Sequence, residues 1–293
     1  MKNLLIYISP DKKLKPDYEL MLEVQIENSL EYWKPEDIIL AFNFPYEYKG
    51  IKAIEVPDLI NNQYPQNPRA IINSKIDTII YLLENKIINE FTWFHDLDAF
   101  QLAPLDAELD KDLGLVCYGD YSQAKLQPIG YYKNRINCGN IFFKPEALDI
   151  FKSLLERMNK NDRYEEDELT IMYSEDPSRM QVMDQTYNIS ARSMTVNIAN
   201  SRKPITVVHF PPNKPQWLSK IRILLNDKLA ERLDARFNRP MVVTGMNGYL
   251  GSHIITYLKA KYYNVVGTEV DIRDIEKLRP YFKNAKFVLH TAA

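Results

Sequence analysis

The spacing of apolar residues changes repeatedly along the chain, and each change marks an element. Leu4-Leu5-Ile6-Tyr7-Ile8 is a continuous apolar run. It predicts a buried strand over Leu4–Ser9, followed by the loop Pro10-Asp11-Lys12-Lys13. Tyr18 to Trp33 carries Leu20, Leu22, Val24, Ile26 and Leu30 at helical spacing. Asp37–Phe42 and Ile51–Val56 read as strands. Asn67-Pro68 opens a helix with Ile71, Ile72, Ile76, Ile79, Ile80 and Leu83 on one side. Phe91–His95 and Leu113–Tyr118 are further strands. Ile136–Lys144 is a strand interrupted by Gly139 and closed by Pro145, and Glu146–Lys160 is a helix.

Beyond that helix the pattern weakens. Asn161–Asp176 is acid-rich and reads as a surface loop with a short helix. Thr195–Asn200 and Ile205–Phe210 read as short strands, and Leu218–Leu233 as one amphipathic helix. That helix suits packing on its own domain better than docking on a membrane. Asn238-Arg239-Pro240 is a plausible linker, after which the pattern restarts. The expected division is residues 1–237 and 238–293. Strands alternating with helices predict an α/β fold with a mostly parallel sheet covered on both faces. In such sheets ligands bind beyond the carboxyl ends of the strands.

Totals change this picture little. The 293 residues are 45% hydrophobic and 26% charged, which is ordinary globular composition with apolar material for two cores. A net charge of −2 gives no basic surface for nucleic acid. The two cysteines, Cys117 and Cys138, have no metal spacing, which fits a reducing compartment. The first apolar run is too short for a signal peptide, and no run has the length of a membrane span. A cytoplasmic location is therefore expected.

Candidate chemistry sits at the end of the Phe91–His95 strand, in Asp96-Leu97-Asp98. In an extended chain the two carboxylates share a face, and a hard divalent cation between them relieves their repulsion. Chance also produces such pairs as solvated turns; the strand before this one and Ala99-Phe100 after it favour a metal site. His209 ends a later strand, and Lys214 follows in a Pro-bounded loop. A neutral imidazole completes a divalent site, and a lysine holds a phosphate as a point charge. The alternative is a strand-end histidine with a solvated lysine. In Asn137-Cys138-Gly139-Asn140 the glycine marks either close approach of backbone or ligand, or a plain β-bulge. Asp184-Gln185, in the polar cluster Met183–Asn188, either contacts a sugar or caps a helix.

Taken together in this order, these motifs resemble the GT-A fold of nucleotide-sugar glycosyltransferases, and most of all the metal-dependent, retaining family-8 type. That family has a D-x-D ending a strand, an asparagine–glycine strand, a D-Q pair and a late H-x-x-G-x-x-K-P-W segment. The resemblance spans about residues 1–220. It implies Asp96, Asp98 and His209 as ligands of Mn²⁺ or Mg²⁺, and Lys214 as a diphosphate contact. It also implies Asn137, Gly139 and Gln185 on the sugar side. Pro212 replaces the family's glycine, Gln216 intervenes before Trp217, and the spacing after Gln185 is shorter. Lys75, in Asn73-Ser74-Lys75, is a weaker candidate for donor contact. Ile8 and Ser9, at the end of the first strand, are expected to receive the nucleotide base. If the reaction inverts, a carboxylate acts as general base, and Asp184 and Asp167 are the candidates.

The last segment has its own signature. Met241–Thr244 is a strand leading into Gly245-Met246-Asn247-Gly248-Tyr249-Leu250-Gly251, which opens a helix to about Tyr263. This spacing lets backbone approach a pyrophosphate at a helix N-terminus. The strand Asn264–Val270, helix Asp274–Phe282 and strand Lys286–His290 complete a βαβαβ half. With Val270–Asp274 and the terminal His-Thr-Ala-Ala, the segment resembles the start of extended short-chain dehydrogenases, most of all the dTDP-4-dehydrorhamnose reductase and epimerase type. Gly245, Gly248, Gly251 and Asp271 are the implied NAD(P) contacts. The family's Tyr-x-x-x-Lys pair would lie downstream. The segment is thus expected to be a truncated module that does no redox chemistry and binds NAD(P) weakly or not at all. The pairing suggests a larger parent polypeptide that both makes and attaches a sugar.

The expected function is metal-assisted transfer of a sugar from a nucleoside-diphosphate donor, UDP-sugar favoured, to a glycan or other hydroxyl acceptor. The rivals are a sugar-nucleotide-binding protein without turnover and a nucleotidyltransferase. The second would want a glycine-rich basic loop near the first strand, and Pro10–Lys15 has no glycine.

Overall fold

The structure is a computed structural model that describes residues 1–58, 70–118, 125–126, 130–131 and 135–291. The helix start expected at Asn67-Pro68 and the side chains of Ile71 and Ile72 lie outside the described part. The chain forms two compact units, Met1–His209 and Phe210–Ala293.

The first unit runs β1 (Lys2–Tyr7), α1 (Pro16–Ser29), β2 (Ile38–Phe42), β3 (Glu47–Tyr48), β4 (Ile51–Glu55), α2 (Ala70–Glu84), β5 (Thr92–His95) and β6 (Ala99–Gln101). It continues with β7 (Leu113–Cys117), β8 (Lys125–Leu126), β9 (Gly130–Tyr131), β10 (Ile136–Phe143), α3 (Leu148–Asn161), α4 (Glu165–Glu175), β11 (Met180–Val182), β12 (Ile189–Ser190), α5 (Met194–Asn200) and β13 (Val207–His209). An eight-stranded sheet has the order β11-β7-β10-β5-β1-β2-β4-β3. It is mostly parallel; β10 runs antiparallel between β5 and β7, and β3 is an antiparallel edge.

Side-chain alternation along β5 and β10 fills two cores. Phe94, Ile141 and Phe143 face one core, with Ile79 and Phe151 of α2 and α3. Trp93 and Phe142 face the other, with Tyr187 and Val207. The second core lies under a three-stranded sheet of order β12-β13-β6. This small sheet matters for the site: antiparallel pairing sets His209 of β13 opposite Ala99 of β6.

The second unit contains α6 (Pro215–Ile221), α7 (Asp227–Phe237), β14 (Met241–Thr244), α8 (Tyr249–Ala260), β15 (Val265–Thr268), α9 (Ile275–Phe282) and β16 (Phe287–His290). Its strands form a parallel sheet of order β15-β14-β16. No helix among the described residues is long and apolar enough to cross a membrane.

Three local expectations are corrected. The acid-rich stretch is an eleven-residue helix, α4, with Glu165 and Glu168 buried. Glu168 accepts from Arg157, Asn161 and Arg163, so partners from α3 and the α3–α4 turn hold this carboxylate inside. Thr195–Asn200 is helical in α5 rather than extended. Asn197, on its inner face, accepts from the Ser190 backbone N–H and donates to Gln185. The single helix expected over Leu218–Leu233 is two, because Leu225 is extended and Asn226 caps a new start by accepting from the Leu229 N–H at 2.9 Å.

Candidate functional site

The Asp-Leu-Asp motif sits where strand alternation stops. β5 ends at His95, and Asp96 to Ala99 form a turn closed by the Ala99 N–H donating to the Asp96 carbonyl at 3.0 Å. The two carboxylates therefore share a side because of this turn, not because of an extended strand. Leu97 anchors the turn from beneath, 7% exposed. The Asp96 N–H donates to the Gly139 carbonyl at 2.9 Å, fastening the turn to β10.

His209 arrives from the far end of the unit. Its Nε2 lies 3.2 Å from Asp98 Oδ1 and 4.0 Å from Asp96 Oδ2. Asp96, Asp98 and His209 each offer a ligand atom, and these atoms lie within 4.8 Å of one another. Two carboxylate oxygens and one imidazole nitrogen suit a divalent cation. The other histidine of this stretch, His95, is fully buried, stacked on Trp93 at 3.9 Å and bonded to Asn3. Burial drops its pKa to about 3, so it stays neutral in the core.

Gly139 explains the break in β10. A Cβ there would stand 2.1 Å from His209 Cε1 and 2.7 Å from Nδ1, so only glycine lets the imidazole lie against the strand. The backbone shows the β-bulge as well: the register with β7 shifts between Asn137 and Ile141. The Asn137 Oδ1 accepts from the Gly139 N–H at 2.9 Å, so this amide turns back onto its own bulge.

Charge around the site is unevenly shared. Lys75 of α2 reaches Asp96 at 3.6 Å and Glu165 at 2.7 Å. Burial pulls the lysine pKa down, but Asp96 and Glu165 more than reverse this and keep it charged. Burial pushes the Asp96 carboxyl up; Lys75 opposes that, and Asp98 adds to it. Burial acts on Asp98 too, yet His209 outweighs it and holds Asp98 below the usual carboxylate range. His209 is lifted above its ordinary value: burial lowers it, and Asp98 more than compensates.

A cavity of about 290 Å³ opens at the end of β1, and Ile8, Ser9 and Lys75 all line it, with Tyr18 and Ser74. The loop after β1 is fixed by Asn43, which accepts from the Ser9 N–H and donates to the Ser9 carbonyl, both at 2.9 Å. Burial raises the Tyr18 hydroxyl, and the charges of Asp98 and Asp96 raise it further. Sequence reasoning missed Tyr18 and Glu165. The acidic run 165–168 reads as a solvated face until Lys75 is seen against it.

The remaining candidates are spread out. Asp184 caps the short turn Gln185–Tyr187, accepting from the Thr186 and Arg202 N–H groups and the Ser201 hydroxyl. Gln185 donates to the Cys117 carbonyl at 2.9 Å. Asp167 lies half-buried on α4, where burial raises its carboxyl. Lys214 is exposed just before α6, in the second unit. There, Gly245 has φ +69°, and a Cβ on Gly251 would stand 2.2 Å from the Gly245 carbonyl oxygen. Gly248 caps α8. Asp271 accepts from the Arg273 side chain at 2.9 Å.

Comparison with known proteins follows the same division. Residues 241–293 match the NAD dependent epimerase/dehydratase family model. No curated protein matches the chain. Among solved structures, the apo WbbM bifunctional glycosyltransferase is similar over 80% of this chain and 51% of its own, at 11% identity and a TM-score of 0.50. A glycosyltransferase involved in glycosylating the major capsid of PBCV-1 is 14% identical, over 80% of this chain and 98% of its own, with a TM-score of 0.47. The apo form of GlyE from Streptococcus pneumoniae TIGR4 is 11% identical, over 98% of this chain and 80% of its own, with a TM-score of 0.48. The fold, a mostly parallel sheet flanked by helices, is shared with the WbbM glycosyltransferase, and the stretch that matches the epimerase/dehydratase model follows it.

Proposed function

We propose that residues 1–237 are a metal-dependent glycosyltransferase that moves a sugar from a nucleoside-diphosphate donor, UDP-sugar favoured, to a hydroxyl of a glycan or glycoconjugate. One observation carries this reading. Asp96, Asp98 and His209 meet at the carboxyl end of β5, and the cavity at the end of the adjacent parallel strand β1 shares Lys75 with them. A base and ribose in that cavity would set a diphosphate over the acidic pair.

Asp96, Asp98 and His209 would hold Mn²⁺ or Mg²⁺, which supplies charge neutralisation for the departing diphosphate. Lys75 brings positive charge to the same place, and Lys214 is proposed to reach the donor from its loop. Asn137, Gly139 and Gln185 are proposed to border the sugar. If the reaction inverts, Asp167 and Asp184 are the carboxylates proposed as base; burial raises the proton affinity of Asp167, whereas Asp184 accepts from three donors. For residues 238–293 the proposal is a weakly NAD(P)-binding segment, in a cytoplasmic protein.

The test is donor hydrolysis with and without Mn²⁺, in wild type and Asp98→Ala. Mn²⁺-dependent release of nucleoside diphosphate, reduced about 100-fold or more in the variant, supports the transferase. Equal rates with and without metal, or in both proteins, reject it. A donor that raises the melting temperature but is never cleaved identifies a binding protein instead.

A further inference from the structure

We infer that Asn188, oriented through Asn140 by the Trp93 indole, is a positioning residue that fixes the His209 tautomer, keeping the proton on Nδ1 and the Nε2 lone pair toward the acidic pair. As a statement about metal uptake this rests on the function proposed above.

The direction of each bond follows from one fixed donor. An indole N–H only donates. Trp93 Nε1 lies 3.0 Å from Asn140 Oδ1, both fully buried, so that oxygen accepts. Asn140 must then present its NH₂ at the other end, where Nδ2 donates to Asn188 Oδ1 at 3.3 Å. The Asn188 amide is thereby oriented, with its oxygen toward His209 Nδ1 at 3.2 Å. An oxygen at that place requires an N–H on Nδ1, which leaves Nε2 to face Asp98 and Asp96. Asn188 is 1% exposed, so water does not substitute for it. The Gly139 backbone lies against the imidazole, so the ring has little room to swing away.

The relay makes opposite predictions for nearly isosteric changes. Asn188→Asp still offers an oxygen to Nδ1. Asn188→Leu offers nothing. Asn140→Asp does not touch His209, but it accepts at both ends, so the Asn188 amide turns and presents its NH₂. His209 Nδ1 must then accept, and the proton moves to Nε2.

Two measurements test this. The first is titration of each metal-free protein with Mn²⁺ alone by calorimetry, with circular dichroism to confirm folding. Asn188→Leu and Asn140→Asp should bind about 10- to 100-fold more weakly than wild type, and Asn188→Asp within about threefold of it. Equal affinity in all four proteins overturns the inference, as does Asn188→Asp failing alongside Asn188→Leu. The second measurement needs no metal. ¹⁵N NMR of the His209 ring in Asp98→Ala, at a pH where the ring is neutral, should show the Nδ1–H form. The same spectrum in Asp98→Ala/Asn140→Asp should show the Nε2–H form. An Nε2–H ring in Asp98→Ala overturns the inference. Wild type that takes up no Mn²⁺ while the NMR result holds defeats the metal reading and leaves the relay standing.

Discussion

Strands β10 and β16 make the useful comparison. β16 is an apolar run ending on His290, while β10 carries Asn137 and Asn140 around Gly139 before its apolar end, so as strings β16 looks the better suited to a sheet interior. In β10 all eight residues are buried, Ile141, Phe142 and Phe143 completely. In β16 all four are exposed: Phe287 by 57%, Val288 by 44% and Leu289 by 39%. β10 has a hydrogen-bonded neighbour on each edge and a core on each face. β16 pairs only with β14 among the described residues. What a strand contributes depends on what covers it, and a parallel strand is stable when both faces are covered.

The same contrast governs the acids. Asp96 and Asp98 sit in the turn after a strand on a half-buried floor, where burial and a shared lysine and histidine move their proton affinities in opposite directions. Asp271 follows a strand too, but in open solvent, and its partner is the side chain of Arg273 two residues on. A carboxylate gains tuned chemistry from its surroundings, not from its place after a strand.

The largest effect should separate the strands themselves. Phe142→Ala removes a fully buried ring between Trp93 and Tyr187, and should lower the unfolding free energy of the first unit by about 3–5 kcal/mol. Leu289→Ala should cost about 0.5 kcal/mol or less. Urea unfolding followed by tryptophan fluorescence measures the first, and amide exchange in β14 and β16 the second. Similar costs would mean that the exposure of β16 is not its working state.

Ligands should sharpen the contrast next. Mn²⁺ at about 100 times its dissociation constant should stabilise the first unit by about 2.7 kcal/mol, read as a melting shift. NAD⁺ or NADPH at millimolar concentration should shift neither unit measurably. The glycine turn is built, with Gly245 in the left-handed region, yet Asp271 is held by Arg273. Calorimetry showing tight NAD(P) binding would break the comparison.

Much of this was legible in the sequence. The strands β1, β5 and β10, the acidic pair and the β14–β16 segment follow from local spacing, because each is decided by neighbours in the chain. What was not legible depends on distant partners. The assembly of the site depends on β6 and β13, whose pairing sets His209 beside Asp98 across more than a hundred residues. Neither strand is long enough to announce the other. The strand expected over Thr195–Asn200 is a helix, where Asn197 bonds to Ser190 and Gln185, partners that the local sequence does not announce. Gly139 was read as an approach point for backbone or ligand; what approaches is a side chain of the protein itself.

Helix α4 gives a smaller test. Glu168 is completely buried and accepts from Arg157, Arg163 and Asn161. Burial alone would raise its pKa; these three donors outweigh burial and hold it below the ordinary glutamate value. A depressed carboxyl stabilises the fold above its unfolded value and loses that contribution as pH falls through the folded one. Glu168→Gln should therefore cost about 1–2 kcal/mol at neutral pH, and less as the solution is acidified toward the folded value. Equal loss at every pH would show that packing rather than charge explains the burial.

The smallest effect reverses that sign within the site. His209 is raised above its ordinary value, chiefly by Asp98 working against burial. In the metal-free protein the imidazolium–carboxylate pair stabilises the fold fully below the unfolded histidine value. That contribution is lost as pH rises through the raised folded value. The groups are partly open to water, with His209 15% and Asp98 26% exposed, so it amounts to about 1 kcal/mol or less. Mn²⁺ requires the opposite state, an Nε2 without its proton, so metal uptake releases a proton and tightens as pH rises. Melting curves from pH 5 to 9 should show the metal-free first unit losing stability across the histidine range while the Mn²⁺ increment grows. His209→Gln should flatten the metal-free slope, and parallel slopes with and without Mn²⁺ would place the cation away from this imidazole.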